Sequence, residues 1–412
     1  MDRGRGWQMR AYLALSHALP LAAPFVLRRR LARGREDPAR WREKLGETGV
    51  ARPPGPLVWM HGVGVGEVMA LRGLIAAMAE RMPALQFLVT STARSSAQVM
   101  GTNLPPRTIH QFLPLDAPRY VAAFLDHWRP GLSVWAEQDL WPCAVMAAAA
   151  RGIPLALVNA RMDAASFARR QRLAGVYRDC LAAFGHLSAQ DAQSADHLAR
   201  LAGRRVEVTG SLKAAAPPLA CDEGELVRLR AALAGRPVWA ATSTHPGDVE
   251  VALSAQRLRM QSEPESLLIL APRDPDPALD TAGLPLAVRS QRQAPVAGVY
   301  LADTYGELGL WYRLAPVALV GGGFGIGGHN PWEAARLGCA VLHGPDVANF
   351  AKDYEAFQMA GAARVVVDAK ALAQALADPA LPAMALRGRA LAEAGMAGIG
   401  ALADRLLDMV EA

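Results

Sequence analysis

The residues best suited to chemistry lie in short glycine-, hydroxyl- and acid-bearing stretches. The first is His61-Gly-Val-Gly-Val-Gly-Glu67. It follows an apolar run and precedes a helical one. Glycines there let backbone approach a ligand closely, and a helix start attracts anions. Glu67 falls near the first helical turn. It either acts on a ligand or merely complements the helix dipole, and spacing leaves both open. The second stretch is Glu137-Gln-Asp139-Leu-Trp141-Pro142. Acidic side chains at a strand's carboxyl end face the ligand crevice of an α/β sheet. Pro142 suits the first turn of a following helix, and Asp139 reads equally well as that helix's cap. Gly210-Ser-Leu-Lys213 adds a cation, for a phosphate or carboxylate or simply for solvent.

Three further stretches follow. In Ala241-Thr-Ser243-Thr244-His245 the hydroxyl residues can cap a helix or bind a phosphate. Arg273 could add a bidentate phosphate contact. Asp303-Thr-Tyr305-Gly306-Glu307-Leu308 comes next, then Gly321-Gly-Gly-Phe-Gly-Ile-Gly-Gly-His329-Asn330-Pro331-Trp332-Glu333. That last loop predicts phosphate binding where Pro331 opens a helix, with Glu333 placed for ribose hydroxyls. A P-loop NTPase is disfavoured because no GxxxxGK[ST] occurs. A dinucleotide oxidoreductase is disfavoured, since no convincing acidic ribose ligand follows the first glycine loop at about 20 residues.

These stretches need elements to hold them. Strand candidates run Pro56–Met60, Leu85–Ser91, Thr108–Pro114, Leu132–Glu137, Pro154–Arg161 and Val206–Leu212, with a helix over Val68–Arg81. The rhythm is βαβα, which implies a parallel sheet covered on both faces. An Ala- and Pro-rich linker, Lys213 to Glu223, follows. The rhythm restarts with Pro237–Thr244, Ser266–Arg273, Gly298–Asp303, Val317–Gly322, Ala340–Gly344 and Ala363–Asp368. The expectation is two doubly wound α/β domains facing a cleft, with a helical C-terminus from Ala371.

Composition narrows the class. Of 412 residues, 52% are hydrophobic and 20% charged, enough apolar material to exclude global disorder. The net charge of +6 favours acidic partners. Four scattered cysteines, with no CxxC pair, argue against a zinc site or disulfide framework. Ala11 to Leu27 is apolar, though interrupted by Pro20 and Pro24, and flanked by Arg3, Arg5 and Arg10 before and Arg28, Arg29, Arg30, Arg33 and Arg35 after. This reads as a membrane anchor or interfacial helix, with anionic headgroups as the fitting surface. The alternative is a buried helix of the first domain. The heavier arginine cluster after the run predicts a cytoplasmic body.

Taken together, the motifs resemble the Kdo (3-deoxy-D-manno-octulosonic acid) transferases, which have the GT-B fold. The resemblance runs through Trp59-Met-His61 with Val65-Gly-Glu67, Pro114-Leu-Asp116, Glu137 to Pro142, Asn159-Ala-Arg161 with Ser166, and Gly210 to Lys213. It continues through Ser243-Thr-His245, Asp303 to Leu308, Gly327 to Glu333, and Gly344-Pro345 with Asn349-Phe350. It implies CMP-Kdo as donor and a lipid A precursor (lipid IVA) as acceptor, in lipopolysaccharide biosynthesis at the cytoplasmic side of the inner membrane. Glu67 matches the family's general base, and Glu137 and Lys213 match transition-state stabilisers. Arg273, Asp274, Tyr305, Gly306, Glu307, Asn330, Pro331, Trp332 and Glu333 match the CMP-binding stretches. The family inverts the anomeric centre without an active-site metal or cofactor. Nucleic acid is not an expected partner.

The chain departs from the family pattern at Gly64 (usually Ser), Asp139 (Glu), Cys143 (Asn) and Asp274 (often His), and its glycine loop is about one residue shorter. A GT-B transferase for another acidic or nucleotide sugar is the alternative within enzymes, and a lipid-binding protein on the same fold the alternative outside them. The expected layout is an anchor over 1–35, an acceptor domain over 36–213 and a nucleotide-sugar domain over 214–412. Removing residues 1–30 is expected to loosen membrane association and leave the fold intact.

Overall fold

The computed structural model of the protein describes residues 6–94, 96, 97, 100, 104–137, 139–215, 218–233, 235–274, 279–281, 283–296 and 298–411. Arg3, Arg5, Gln138, and Ala216 and Pro217 of the linker stretch lie outside the described residues. The chain divides into two compact units. One is Met1–Pro217 with Gly395–Ala412, the other Pro218–Ala394.

The first unit is built on a seven-stranded sheet: β1 (Leu57–His61), β2 (Gln86–Ser91), β3 (Thr108–Phe112), β4 (Leu132–Ala136), β5 (Leu155–Ala160), β6 (His186–Ala189) and β7 (Glu207–Val208). The order is β3-β2-β1-β4-β5-β6-β7, and every pairing is parallel. Every residue of β1, β4 and β5 is buried. That is why these strands read as continuous apolar runs rather than alternations. Successive side chains still go to opposite faces. Trp59, Trp135 and Leu157 enter one core, and Val58, Met60, Val134 and Val158 the other. Beyond β6, only Glu207–Val208 of the expected Val206–Leu212 strand pairs, and Leu212–Ala215 turns into a short 3-10 helix.

The second unit repeats the plan with β8 (Val238–Thr244), β9 (Leu267–Pro272), β10 (Leu286–Val288), β11 (Gly298–Leu301), β12 (Val317–Val320), β13 (Ala340–His343) and β14 (Ala363–Val365). Its order is β10-β11-β9-β8-β12-β13-β14, again parallel throughout.

Both termini depart from the expected layout. The sequence reading places everything beyond 213 in the second domain. The C-terminal helix (Leu381–Glu411) instead ends in the first unit. Ile399, Leu402, Ala403 and Leu406 recur at helical spacing and fill the core that holds Val58, Leu71 and Met78.

At the other end, residues 7–32 form two helices rather than one continuous helix: α1 (Trp7–Ser16) and α2 (Leu19–Ala32), bent by 57°. Pro20 sits in the first turn of α2 and cannot extend α1. Among the described residues no single helix is long and apolar enough to cross a membrane; only this bent pair, taken together, passes such a test. Helix α1 is docked. Met9 is fully buried among Trp59, Cys143 and Phe184 of the first core. Gly6 N donates to Asp179 Oδ2 (2.7 Å), Gly175 N to Gln8 Oε1 (2.8 Å), and Tyr12 Oη to Asp116 Oδ2 (2.8 Å). Helix α2 buries Ala23 against Ala117 and Tyr120. The outer surface of the pair stays apolar, with Trp7, Leu15, Leu21 and Phe25 all more than two-thirds exposed.

The two kinds of position separate experimentally. Met9→Ala should cost about 2–5 kcal/mol of stability through the cavity it leaves, lowering the melting temperature. Leu21→Glu, on the open face, should leave melting within about 0.5 kcal/mol. Thermal denaturation of the two variants checks both, and removal of residues 1–30 should destabilise the first unit.

Candidate active site

In the first sheet the strand order reverses at β1 and β4. Loops leaving the carboxyl ends of two such strands diverge to opposite sides, and the gap between them is where α/β sheets bind ligands. Glu67 follows β1 and Glu137 follows β4, so topology alone delivers both carboxylates to one crevice.

Glu67 lies on helix α3 (Val65–Arg81), which starts three residues earlier than its apolar periodicity predicts. The reason is the Glu67 side chain. It folds back so that Oε2 accepts the N–H of Gly64 (3.2 Å) and that of Val63. These are amides that a helix start otherwise leaves unpaired. Oε1 takes no hydrogen bond among the described residues. One oxygen caps the helix while the other is left for a ligand, so the two readings of Glu67 are compatible. Burial raises its pKa above the ordinary range, and the Val63 and Gly64 amides only partly offset this.

Glu137 is pushed up to about 7, first by burial and then by the Glu67 charge, with Lys213 and Arg161 pulling the other way. Lys213 also lowers Glu67. The structure therefore brings the three expected catalytic residues within electrostatic reach of one another. Glu137 has φ +64° and Asn159 φ +55°. The Ala136–Val158 pairing sets these two left-handed residues side by side at neighbouring strand ends. Non-glycine residues in that region are strained and persist only where their surroundings enforce it.

His61 is a different case. Its ring is buried against Trp135 and Trp141, and Nδ1 lies 3.0 Å from the Thr90 hydroxyl, which accepts Trp59 Nε1–H (2.9 Å). Burial holds its pKa down to about 3, so at neutral pH it is an uncharged spacer and a poor base. Asp139 does not cap the following helix, Pro142–Ala150. It pairs with Arg170 (2.9 Å). The cap is Asp116, which accepts Cys143 N and Ala144 N, both at 3.0 Å. Nothing local in the sequence signals a cap supplied from so far away.

In the second unit the order reverses at β8 and β12. Here the residue the sequence reading missed is Asp248, on the first turn of α4 (Pro246–Ser262). It is buried and accepts His245 N (2.8 Å), Gly322 N (2.8 Å) and Phe324 N (3.3 Å). It thereby clips the glycine loop to the helix start. Its signal was available: an acid three residues after His245 is the capping-box position. His245 Nε2 and His329 Nε2 lie 2.9 Å apart. Burial, then the nearby His245 and Arg273, hold His329 below its ordinary pKa. Some glycines serve packing rather than a ligand: a Cβ on Gly323 would sit 2.5 Å from Gly344 N. The helix after the loop, α5 (Trp332–Arg336), has only five residues. Asn330 Oδ1 accepts Trp332 N (3.1 Å) and Nδ2 reaches Glu333 (3.4 Å), while Trp332 Nε1 is fixed by Asp353 (2.8 Å).

The expected nucleotide residues do not line a single pocket. Asp274 lines a cavity of about 490 Å³ with Thr244 and His245, and Arg273 N bonds Thr244 O (2.9 Å) beside it. Tyr305 and Glu307 line another, of about 770 Å³, with Arg289 and Thr304. Gly306 provides the turn at φ +85°. Glu307 is engaged by Arg289 Nε (3.1 Å) and Nη2 (2.7 Å) and by the Thr304 hydroxyl. Burial opposes its ionisation, but these bonds prevail and its pKa is lowered. Arg289 had no signal in its polar surroundings. A third cavity, of about 890 Å³, opens at the amino ends of β8 and β12 beside Pro237 and Pro316, remote from all these residues.

Residues 39–216 match the family model described as 3-Deoxy-D-manno-octulosonic-acid transferase (kdotransferase). A probable mitochondrial 3-deoxy-D-manno-octulosonic acid transferase of Arabidopsis thaliana is 35% identical over 85% of this chain and 83% of its own length. The Bordetella pertussis 3-deoxy-D-manno-octulosonic acid transferase is 34% identical over 97% of each. The chain belongs to the Kdo transferase family. It is thus a glycosyltransferase, in agreement with the resemblance its motifs carry. Among solved structures, the UDP-GlcNAc 2-epimerase of Neisseria meningitidis bound to UDP-GlcNAc matches 86% of this chain and 99% of that one, with TM-score 0.53 and 15% identity. Acinetobacter baumannii MurG matches 86% and 100%, with TM-score 0.51 and 12% identity. That likeness shows the fold of this Kdo transferase: two parallel-sheet α/β domains, GT-B-like.

The raised Glu137 has a stability consequence. In the folded chain it holds a proton up to about pH 7, against an ordinary 4.5 when unfolded. The native state therefore binds more protons in that window, and stability falls as pH rises through it. Glu137→Gln removes the buried charge. The variant should melt above the wild type at pH 8, and the gap should narrow toward pH 4.5. A gap that is constant with pH would contradict the raised pKa.

Proposed function

We propose that this protein transfers Kdo from CMP-Kdo to a hydroxyl of a lipid A precursor in lipopolysaccharide biosynthesis, with inversion and with Glu67 as general base. The observation carrying this is the state of Glu67. One carboxylate oxygen is fixed by its own loop amides and the other carries no bond among the described residues, in a half-buried setting that raises its pKa. A base is most effective when its pKa approaches the working pH.

The Glu67 carboxylate takes the acceptor hydroxyl proton as that oxygen forms its bond to the anomeric carbon of Kdo. The bond from that carbon to the phosphate oxygen breaks, and CMP leaves with the electron pair. Lys213 and the Glu137 carboxyl stabilise the charge redistribution at the reacting centre. A Glu137 pKa of about 7 lets that group carry or release a proton near neutrality. Arg273 supplies positive charge toward the phosphate, and Asn330 to Glu333 with Tyr305, Gly306 and Glu307 hold the nucleotide. Positive charge comes from side chains, so the reading calls for no metal.

The apolar outer face of α1 and α2, with Arg28, Arg29 and Arg33 on the same stretch, suits an anionic bilayer surface. We place the protein at the cytoplasmic side of the inner membrane, where such an acceptor lipid is presented.

The test is a transfer assay with purified protein, CMP-Kdo and the tetra-acylated precursor, read by mass spectrometry of the lipid. A mass gain of one or more Kdo units is expected. Glu67→Gln should lose at least about 10²-fold in turnover, the scale of general-base catalysis, with CMP affinity nearly intact. No gain from folded, CMP-binding protein would move the assignment to another sugar or acceptor. Near-normal turnover by Glu67→Gln would remove the base assignment.

A further inference from the structure

We infer that Asn159 is a positioning residue for transfer: it sets the Lys213 ammonium against Glu67 and Glu137. This rests on the function proposed above.

Asn159 is 1% exposed and sits at the end of β5. Its Oδ1 accepts the N–H of Leu212 at 2.9 Å, and its carbonyl accepts Gln190 Nε2 at 3.0 Å. Leu212 opens the 3-10 turn Leu212–Ala215, whose second residue is Lys213. That turn packs on α3, the helix that starts around Glu67, and Leu212 is buried in the same core as Val68 and Leu71 of that helix. On its other side Asn159 neighbours Glu137 across the β4–β5 pairing. One side chain thus touches the backbone of the Lys213 turn, while its own backbone lies beside that of Glu137.

The conformation is specific to this task. Asn is among the few non-glycine residues that tolerate positive φ, because its short polar side chain bonds locally. Oδ1 is the acceptor for Leu212 N, while Nδ2 is buried and has no partner among the described residues. A buried unpaired donor is unfavourable. The Oδ1 bond to the lysine turn is what this side chain supplies.

The prediction follows from electrostatics. Lys213 lowers the pKa of both Glu67 and Glu137. If its turn is released, both carboxyls hold their protons to higher pH, and the acid limb of the rate profile moves upward. Asn159→Gly keeps access to positive φ but loses the acceptor, so it isolates the bond from the backbone strain that Asn159→Ala would add.

The experiment compares wild type, Asn159→Gly, Lys213→Ala and the double variant for melting temperature, kcat and the pH dependence of kcat in the transfer assay. Asn159→Gly should remain folded and lose on the order of ten- to a hundredfold in kcat, the scale of a misplaced catalytic group, with its acid limb shifted up. In the Lys213→Ala background it should cost little more, since the two changes remove the same interaction. Unchanged kcat and pH profile in Asn159→Gly, or full additivity with Lys213→Ala, would overturn the inference. An inactive wild type would instead overturn the proposed function. If Asn159→Gly melts too low to assay, Leu212→Ala carries the same comparison by loosening the turn from the core side.

Discussion

Everything at the proposed reaction centre depends on one topological constraint, the reversal of strand order at β1 and β4. Parallel strands bring all their carboxyl ends to one edge of a sheet, and the reversal leaves a gap between the two loops that diverge. Because both strands are central and fully buried, the residues leaving them emerge from a low-dielectric interior. Glu67 and Glu137 are partly desolvated for that reason. The second unit uses the same constraint, with Asp248 holding the loop after β12 against the helix after β8. One architectural device serves each site.

Burying two carboxylates near each other is unfavourable, and the structure shows how it is managed. Backbone amides of Val63 and Gly64 fix Glu67, while the charge of Lys213 acts on both groups. Glu137 receives less compensation, and its pKa rises further. The left-handed conformation of Glu137 stores strain at the same spot, beside the left-handed Asn159. Two desolvated acids and two left-handed residues coincide where chemistry is proposed. That pattern fits a site maintained for function at the expense of stability.

How much of this was legible beforehand depended on the kind of signal. Central strands announce themselves as apolar runs, so β1, β4, β5, β8 and β12 were clear. His186-Leu-Ser-Ala, with no β-branched residue, and the three-residue β10 carried too little pattern to read. The start of α3 was misjudged because it is set by the Glu67 side chain rather than by apolar periodicity. Glu67, Glu137 and Lys213 were legible through motifs. Asp116 capping a helix 26 residues on, and Arg289 holding Glu307, were not, since they are contacts between distant segments. The N-terminal stretch was ambiguous. Apolar composition with basic flanks is common to a membrane-facing helix and to a docked one, and the buried Met9 with the Gly6–Asp179, Gly175–Gln8 and Tyr12–Asp116 bonds shows the docking.

The central claim is that the β1–β4 crevice keeps a carboxyl group protonated close to neutral pH. The most direct measurement is an NMR titration of glutamate side-chain carboxyl carbons in wild type and Glu137→Gln. The account predicts one resonance titrating at about 7, absent from the variant. If every glutamate titrates near the ordinary 4.5, the crevice does not tune its acids, and the account of Glu67 and Glu137 fails with it.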